Sequence, residues 1–531
     1  MTKFNSEQLQ AINSNADRIL CLAGAGAGKT AVLIARLSRL VNDGVNPSSI
    51  LALTFTNAAA AEMKSRYEKQ HMGEEIPEFR TFHAFCYSLL CKDPMIRTAL
   101  GYDNVPGIAS DAQEKEIEEK AKTQCKITIS KDKLKNRAGL TKQEQFQIDL
   151  YDKAVTRLMR SSNLITFDRL NSEVSNMFAV DHLATRVYKE KYKYICLDEM
   201  QDTDPIQMRF LNSFPNSNFY FCGDTLQNLY SFRGTSNEYI KAIANTPGWE
   251  IIKMYTNYRS TNQICEYANR FSAKYADASY RIEMRGTRDG DKVITKMTDG
   301  PAKYSYMSNK DLEDVLKELS NLTGTSAILC RTNKEVAAVA AFLKSKDIEF
   351  TSNHDNDLPT LVDCALSDNF AIGYLASLLS SDKYGDYIRL SAQVKHPTLD
   401  WFVDTFGGNS QIKPIAKKIS FLRTVSLNSE NTNTKLDMVA KEFHLTNFEP
   451  TDKQFSDKKF LLYLRESVAT TKSAELYVGT IHSVKGLEYD NVFVMNVGSY
   501  NFRLNNEDMK NLFYVAVTRA KNRLYIYELF D

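Results

Sequence analysis

The chain has 531 residues, 43% hydrophobic and 25% charged, with a formal net charge of +2. That length exceeds one ordinary core and predicts roughly two to four domains, and the composition excludes a disordered or fibrous chain. No run approaches the roughly 18 uninterrupted apolar residues of a membrane helix, and the opening MTKFNSEQLQ lacks an apolar signal core, so a cytoplasmic protein with no membrane partner is expected.

From Arg18 to Thr56 an apolar run (RILCLA), a glycine turn, an amphipathic stretch and a second apolar run (ILALTF) predict a βαβ unit of a parallel sheet. Runs at Tyr192 to Leu197 and Asn218 to Gly223, each followed by a polar turn with acidic residues, extend that sheet. A second series begins near Ile251, continues with SAILCR at 326–331 and closes with LYVGTI, NVFVMN and RLYIYEL between 476 and 529. It predicts a second α/β domain. Residues 91–190, rich in Lys, Glu and Gln at helical spacing, and 356–470 read as mainly helical insertions. Within the latter, the polar run SLNSENTNTK at 426–435 reads as a surface loop. The resulting boundaries are 1–90 and 191–245 for the first domain around the insertion 91–190, then 246–355 and 471–531 for the second around 356–470. The nine cysteines are scattered, with neither a CxxC pair nor a Cys/His cluster, and read as buried reduced thiols rather than metal ligands.

Residues 23–30 read AGAGAGKT between a strand run and a helix-forming stretch, the setting of a phosphate-binding loop. Gly24, Gly26 and Gly28 let backbone N–H groups turn toward an anion, with Ala23, Ala25 and Ala27 between them, and the helix start adds partial positive charge. Lys29 would neutralise the β and γ phosphates of ATP, and the Thr30 hydroxyl would bind Mg2+. A strict motif has glycine where Ala23 stands. The run YICLDEMQDTD supplies the complementary carboxylates at a strand end. Asp198 would hold the metal through water and Glu199 would polarise the attacking water, although an Asp-Glu pair taken alone is as often a solvated turn. A net charge near zero decides nothing about a nucleic-acid partner, because binding depends on where the cations cluster.

With AGAGAGKT and LDEMQDTD, the segments FNSEQ (4–8), TFTNAAAAEM (54–63), TFHAF (81–85), CGDTLQNLYSFRGT (222–235), NYRST (257–261), AILCRTN (327–333), TIHSVKGLEYDNVF (480–493) and YVAVTRA (514–520) resemble, in order, the motifs of UvrD/PcrA/Rep-type superfamily 1 helicases. The resemblance implies two RecA-like P-loop NTPase domains with parallel sheets, each interrupted by a mainly helical insertion. It implies an ATP- and Mg2+-dependent 3′-to-5′ helicase or translocase on single-stranded DNA and its junctions with duplex. The alternative is a DNA-stimulated motor or sensor subunit acting with a nuclease or other protein partner. By resemblance, Gln8 and Arg36 face the adenine end of ATP, Tyr258 stacks on the base, Glu488 contacts the ribose, and Gln227, Arg259 and Arg519 reach the γ-phosphate. The same resemblance sets Thr54, Phe55, Thr56, Asn57, Thr81, His83, Phe232, Arg233 and His482 along DNA, where Phe55 and Phe232 stack on bases without reading sequence. The chain departs from the family in Ala58 for Lys, Phe232 for Trp and Asn511 for Arg, and its second insertion lacks the family's Gly-Gly and Phe-rich opening.

Overall fold

Strands buried on both faces must be apolar on both, and the short apolar runs of this chain meet that condition. The computed structural model describes residues 4–109, 111–130, 133–134, 139–229, 235, 237–298, 308–352, 358–368, 371–372, 375, 390, 398–406, 412–442, 451, 453–455, 457–467, 475–499 and 501–529. Contacts divide the chain into two compact units, Met1–Asp291 with Asn505–Thr518, and Lys292–Leu504 with Arg519–Asp531.

In the first unit β1 (Arg18–Ala23), β2 (Ile50–Thr54), β3 (Glu78–Thr81), β4 (Tyr194–Leu197), β5 (Asn218–Gly223) and β6 (Glu250–Met254) form one parallel sheet in the order β3-β2-β4-β5-β1-β6. Side chains alternate between its faces. Leu20, Leu22, Leu51, Leu53 and Phe221 join a core with Phe85, Phe178, Phe210 and Phe214. Ile19, Cys21, Ile50, Ala52 and Cys222 join another with Val32, Leu33 and Leu37 of the helix Lys29–Asn42. Burying each large apolar side chain contributes about 1.5–3 kcal/mol. The run near Ile251, expected to open the second domain, is instead the edge strand β6, paired with β1. A short apolar run does not encode which sheet it joins.

The 91–190 stretch is helical over Pro94–Ala99, Asp111–Cys125, Lys142–Ser161, Phe167–Ala179 and Leu183–Lys191. Ile117, Ala121, Tyr151 and Met159 make a small core of its own. The helix Glu507–Val517, which the sequence analysis groups with the second domain, lies in the first unit, where Phe513 packs edge-on to Phe271 at 4.8 Å.

The second unit holds β7 (Ile294–Thr298), β8 (Ser326–Cys330), β9 (Thr351–Ser352), β10 (Leu476–Thr480), β11 (Tyr489–Val497) and β12 (Ala520–Leu529), a parallel sheet ordered β7-β12-β11-β8-β10-β9. Its helices Leu358–Leu366, Leu399–Phe406, Ile412–Leu427, Thr432–Glu442 and Asp457–Ser467 gather around Phe402, Ile419, Leu422 and Phe460. The expected surface loop at 426–435 shrinks to the turn between two of these helices. Lys435 is buried and donates to the Ser426 carbonyl at 3.1 Å, and the Thr432 N–H donates to Gln454 at 3.1 Å. Tertiary partners override the local polar composition. All nine cysteines are free thiols, seven of them buried. No helix among the described residues is long and apolar enough to cross a membrane.

Candidate nucleotide site and nucleic-acid contacts

β1 ends at Ala23, and the loop that follows reaches the helix Lys29–Asn42 through two left-handed glycines, Gly26 at φ 68° and Gly28 at φ 79°. A side chain at Gly26 is doubly barred, because its Cβ would also stand 2.6 Å from Asn257 Oδ1. Lys29 follows at the first position of the helix. Burial acts to lower its pKa, but the charges of Glu199, Asp224 and Asp198 outweigh that and hold it above the ordinary lysine value.

Those carboxylates stand at the ends of the neighbouring strands β4 and β5. Asp198 is buried, accepts the Thr30 hydroxyl at 3.2 Å and the Glu199 N–H at 3.0 Å, and hangs from the β2 end through its own N–H to Leu53 O at 2.9 Å. Burial, reinforced by the charge of Glu199, pushes its pKa up to about 7. Glu199 takes a left-handed backbone, φ 57°, uncommon for a residue with a side chain and typical of functional sites. Its carboxylate accepts the side-chain amide of Gln201. Asp224, raised by burial, accepts Gln227 Nε2 at 2.7 Å.

The Thr30 hydroxyl and Asp198 are hard oxygen donors set side by side, next to a second carboxylate whose repulsion a divalent cation would relieve. These residues fit Mg2+, which commonly takes one or two protein oxygens together with substrate phosphates. Among the described residues no group of three or more His, Cys, Asp or Glu could hold a metal ion on its own.

On the other side of the loop, the helix Ser6–Asn13 opens with a capping box between Asn5 and Gln8. Gln8 Nε2 donates to Ala27 O at 3.0 Å, and its Oε1 accepts the Tyr258 hydroxyl at 3.4 Å. Tyr258 is 42% exposed, while its N–H is held by Gly26 O at 2.9 Å. Arg259 Nη1 donates to Thr518 O at 3.1 Å. Arg36 is buried, its Nη1 donating to the carbonyls of Ala11, Ile12 and Ser14 at 3.0, 3.3 and 2.8 Å, so this nitrogen pins the end of the N-terminal helix.

The residues expected on DNA divide by location. Thr54 closes β2 with a buried hydroxyl that lacks a hydrogen-bond partner, and Phe55, Thr56 and Asn57 follow it onto the helix Asn57–Glu68. Thr56 and Thr81 cap their helices, accepting the N–H groups of Ala59 and Ala84 at 3.1 Å each. Thr81 also donates to Asn57 Oδ1 at 3.2 Å, joining the loops beyond β2 and β3. His83 meets Phe167 edge-on at 5.4 Å. Phe232 and Arg233 lie outside the described residues; near them in the chain, Thr235 Oγ1 donates to Asn228 Oδ1 at 3.0 Å. Asn511, at a position where the family carries arginine, donates to Asn228 O at 3.4 Å and accepts from the Tyr275 hydroxyl at 3.3 Å.

Three expected residues belong to the second unit. Arg519 is buried with Nη1 on Leu487 O at 3.2 Å, Glu488 pairs with Lys521 at 3.2 Å, and His482 is pushed down to about 4 by burial, then by Arg331 and Lys485.

Sequence reading alone singled out neither Asn257, Gln201 nor Asp224. Asn257 is buried and its Oδ1 accepts the N–H groups of Arg259 and Ser260, at 2.8 Å each, shaping the turn that carries Tyr258 and Arg259. Each is a polar residue inside one of the quoted motifs, one to four positions beyond an apolar strand.

Known proteins resemble this chain in sequence. The sequence model of the UvrD/REP helicase N-terminal domain matches residues 4–247, and that of the UvrD-like helicase C-terminal domain matches 252–358 and 408–529. A probable DNA helicase II homolog of Mycoplasma capricolum is 25% identical over 98% of this chain and 84% of its own length. The ATP-dependent DNA helicase PcrA of Staphylococcus epidermidis is 25% identical over 98% and 83%, and that of Staphylococcus aureus 24% over 99% and 83%. With both family domains matched across most of its length, the chain belongs to the UvrD/REP helicase family.

Proposed function

We propose that this protein couples ATP hydrolysis to 3′-to-5′ movement along single-stranded DNA and to unwinding at single-strand/duplex junctions. The observation that carries this reading is the gathering of Asp198, Glu199 and Asp224 about Lys29, at the ends of adjacent parallel strands and beside the glycine loop. Such an array suits a phosphoanhydride, with backbone N–H groups and an ammonium for the phosphates and a carboxylate for the attacking water. Mg2+ held by Thr30 and Asp198 would supply further positive charge at the phosphate oxygens.

In this reading Glu199 accepts the proton of the attacking water, and Lys29 offsets negative charge that gathers on the leaving phosphate. Gln227 and Arg259 add donors toward the γ-phosphate, and family resemblance assigns Arg519 the same role and Glu488 the ribose. Tyr258 and Gln8 hold the base. Thr54, Phe55, Thr56, Asn57, Thr81 and His83 in the first unit, His482 in the second, and Phe232 and Arg233, outside the described residues, are the proposed DNA contacts.

The test is ATP hydrolysis with and without single-stranded DNA, beside strand displacement on duplexes with a 3′ or a 5′ tail. Stimulation with displacement only from the 3′ tail is expected. Turnover indifferent to DNA, or displacement from the 5′ tail, would overturn the reading. The C-terminal family match omits residues 359–407, inside the second helical insertion, and this favours one further reading. A motor or sensor subunit working with a partner such as a nuclease would show stimulation without displacement.

A further inference from the structure

Gln201 is 0% exposed, and both ends of its side-chain amide are engaged. Nε2 donates to the Glu199 carboxylate, and Oε1 accepts the Asp224 N–H at 3.0 Å. Flipping the amide would break both contacts at once, so the geometry fixes its orientation. β5 leaves room for it, because a Cβ on Gly223 would stand 2.8 Å from Gln201 Oε1. Beyond Asp224 the path continues, its Oδ2 accepting Gln227 Nε2 at 2.7 Å and its Oδ1 the Leu226 N–H at 3.1 Å.

We propose that Gln201 is a positioning residue that holds the Glu199 carboxylate and ties its placement to the turn beginning at Asp224. This deepens the hydrolytic reading above and rests on it. Glu199 has a left-handed backbone and a side chain with several free torsions, so its aim must be imposed by neighbours. The amide of Gln201 imposes it from one side only, and its own position is set by a main-chain N–H of a different strand end. The turn from Asp224 continues through Leu226 and Gln227, both held by the Asp224 carboxylate. Any shift of the Asp224 N–H would pass through Gln201 to the carboxylate.

Two variants test the link in the full chain. Gln201→Leu removes both contacts, whereas Gln201→Glu keeps the volume and the acceptor for Asp224 but loses the donor to Glu199. Each is expected to lower DNA-stimulated kcat about tenfold to a hundredfold, the loss of one charge-assisted hydrogen bond, while ATP KM stays within about twofold. In a Glu199→Gln background, Gln201→Leu is expected to cost the residual rate nothing further, because the group it positions is already disabled. An additive loss in that background, or unchanged kcat in both single variants, would overturn the proposal. Normal hydrolysis by Glu199→Gln alone would instead overturn the assignment of Glu199 on which the proposal depends.

Discussion

Lys29 is the cation about which three carboxylates gather, and Glu199 is the one whose backbone is bent to present it. Lys29→Ala and Glu199→Gln are each expected to lower ATP turnover on the order of a hundredfold or more, while single-stranded DNA binding by fluorescence anisotropy persists. Wild-type phosphate release from either variant would remove the proposed site. A second residue-scale outcome concerns pH. His482 is held at about 4 by burial against an unfolded value of roughly 6.5, so between those values the unfolded chain binds the extra proton. Its contribution to stability is complete above the unfolded value and is lost as pH falls through the window. Urea unfolding from pH 7 to 4 should therefore show a shallower pH slope for His482→Gln than for the parent, and equal slopes would contradict a neutral, half-buried ring. Residues whose chemistry is written contiguously, such as Lys29, Thr30, Asp198 and Glu199, were legible in the sequence. Asn257 and Gln201 were not, because Asn257 acts through the backbone N–H groups of its own turn and Gln201 through an N–H at another strand end.

Elements were legible to the same depth and for the same reason. Apolar runs announce strands, since a strand covered on both faces has no polar side to show. They do not announce pairing, which is why Glu250–Met254 joins the first sheet rather than the second. The helix Ser6–Asn13 illustrates the point at its C-terminal end. Its last carbonyls need donors, and Arg36 supplies them from a helix more than 20 residues on, a pairing that no local pattern encodes. Arg36→Met keeps the apolar stem and deletes the donors, leaving buried carbonyls unmatched. It is expected to cost about 2–3 kcal/mol in urea unfolding and, by loosening the helix that carries Gln8, to raise ATP KM as a secondary effect. A higher KM with unchanged stability would place the Arg36 side chain on the nucleotide instead.

At the scale of the whole molecule the chain completes its first unit late. Residues 505–518 belong to that unit, though the chain between 292 and 504 builds the other. The helix Glu507–Val517 contributes Phe513 against Phe271 at 4.8 Å and the Tyr514 hydroxyl against Met284 Sδ at 3.6 Å. Met284 in turn contacts Asn257 Nδ2 at 3.5 Å, and Thr518 O receives Arg259, so the late helix supports the turn that carries Tyr258 and Arg259. A fragment of residues 1–291 would keep its whole sheet, all six strands lying within that span, yet expose the apolar face that the late helix covers. Losing the buried Phe513 ring alone compares with a large-to-small core substitution of about 3–5 kcal/mol. The fragment is therefore expected to melt well below the same fragment carrying residues 505–518 on a flexible linker, and to bind ATP more weakly. Equal melting temperatures and equal ATP affinity for the two would show that the late helix is dispensable to the nucleotide site, and that the first unit is complete before residue 292.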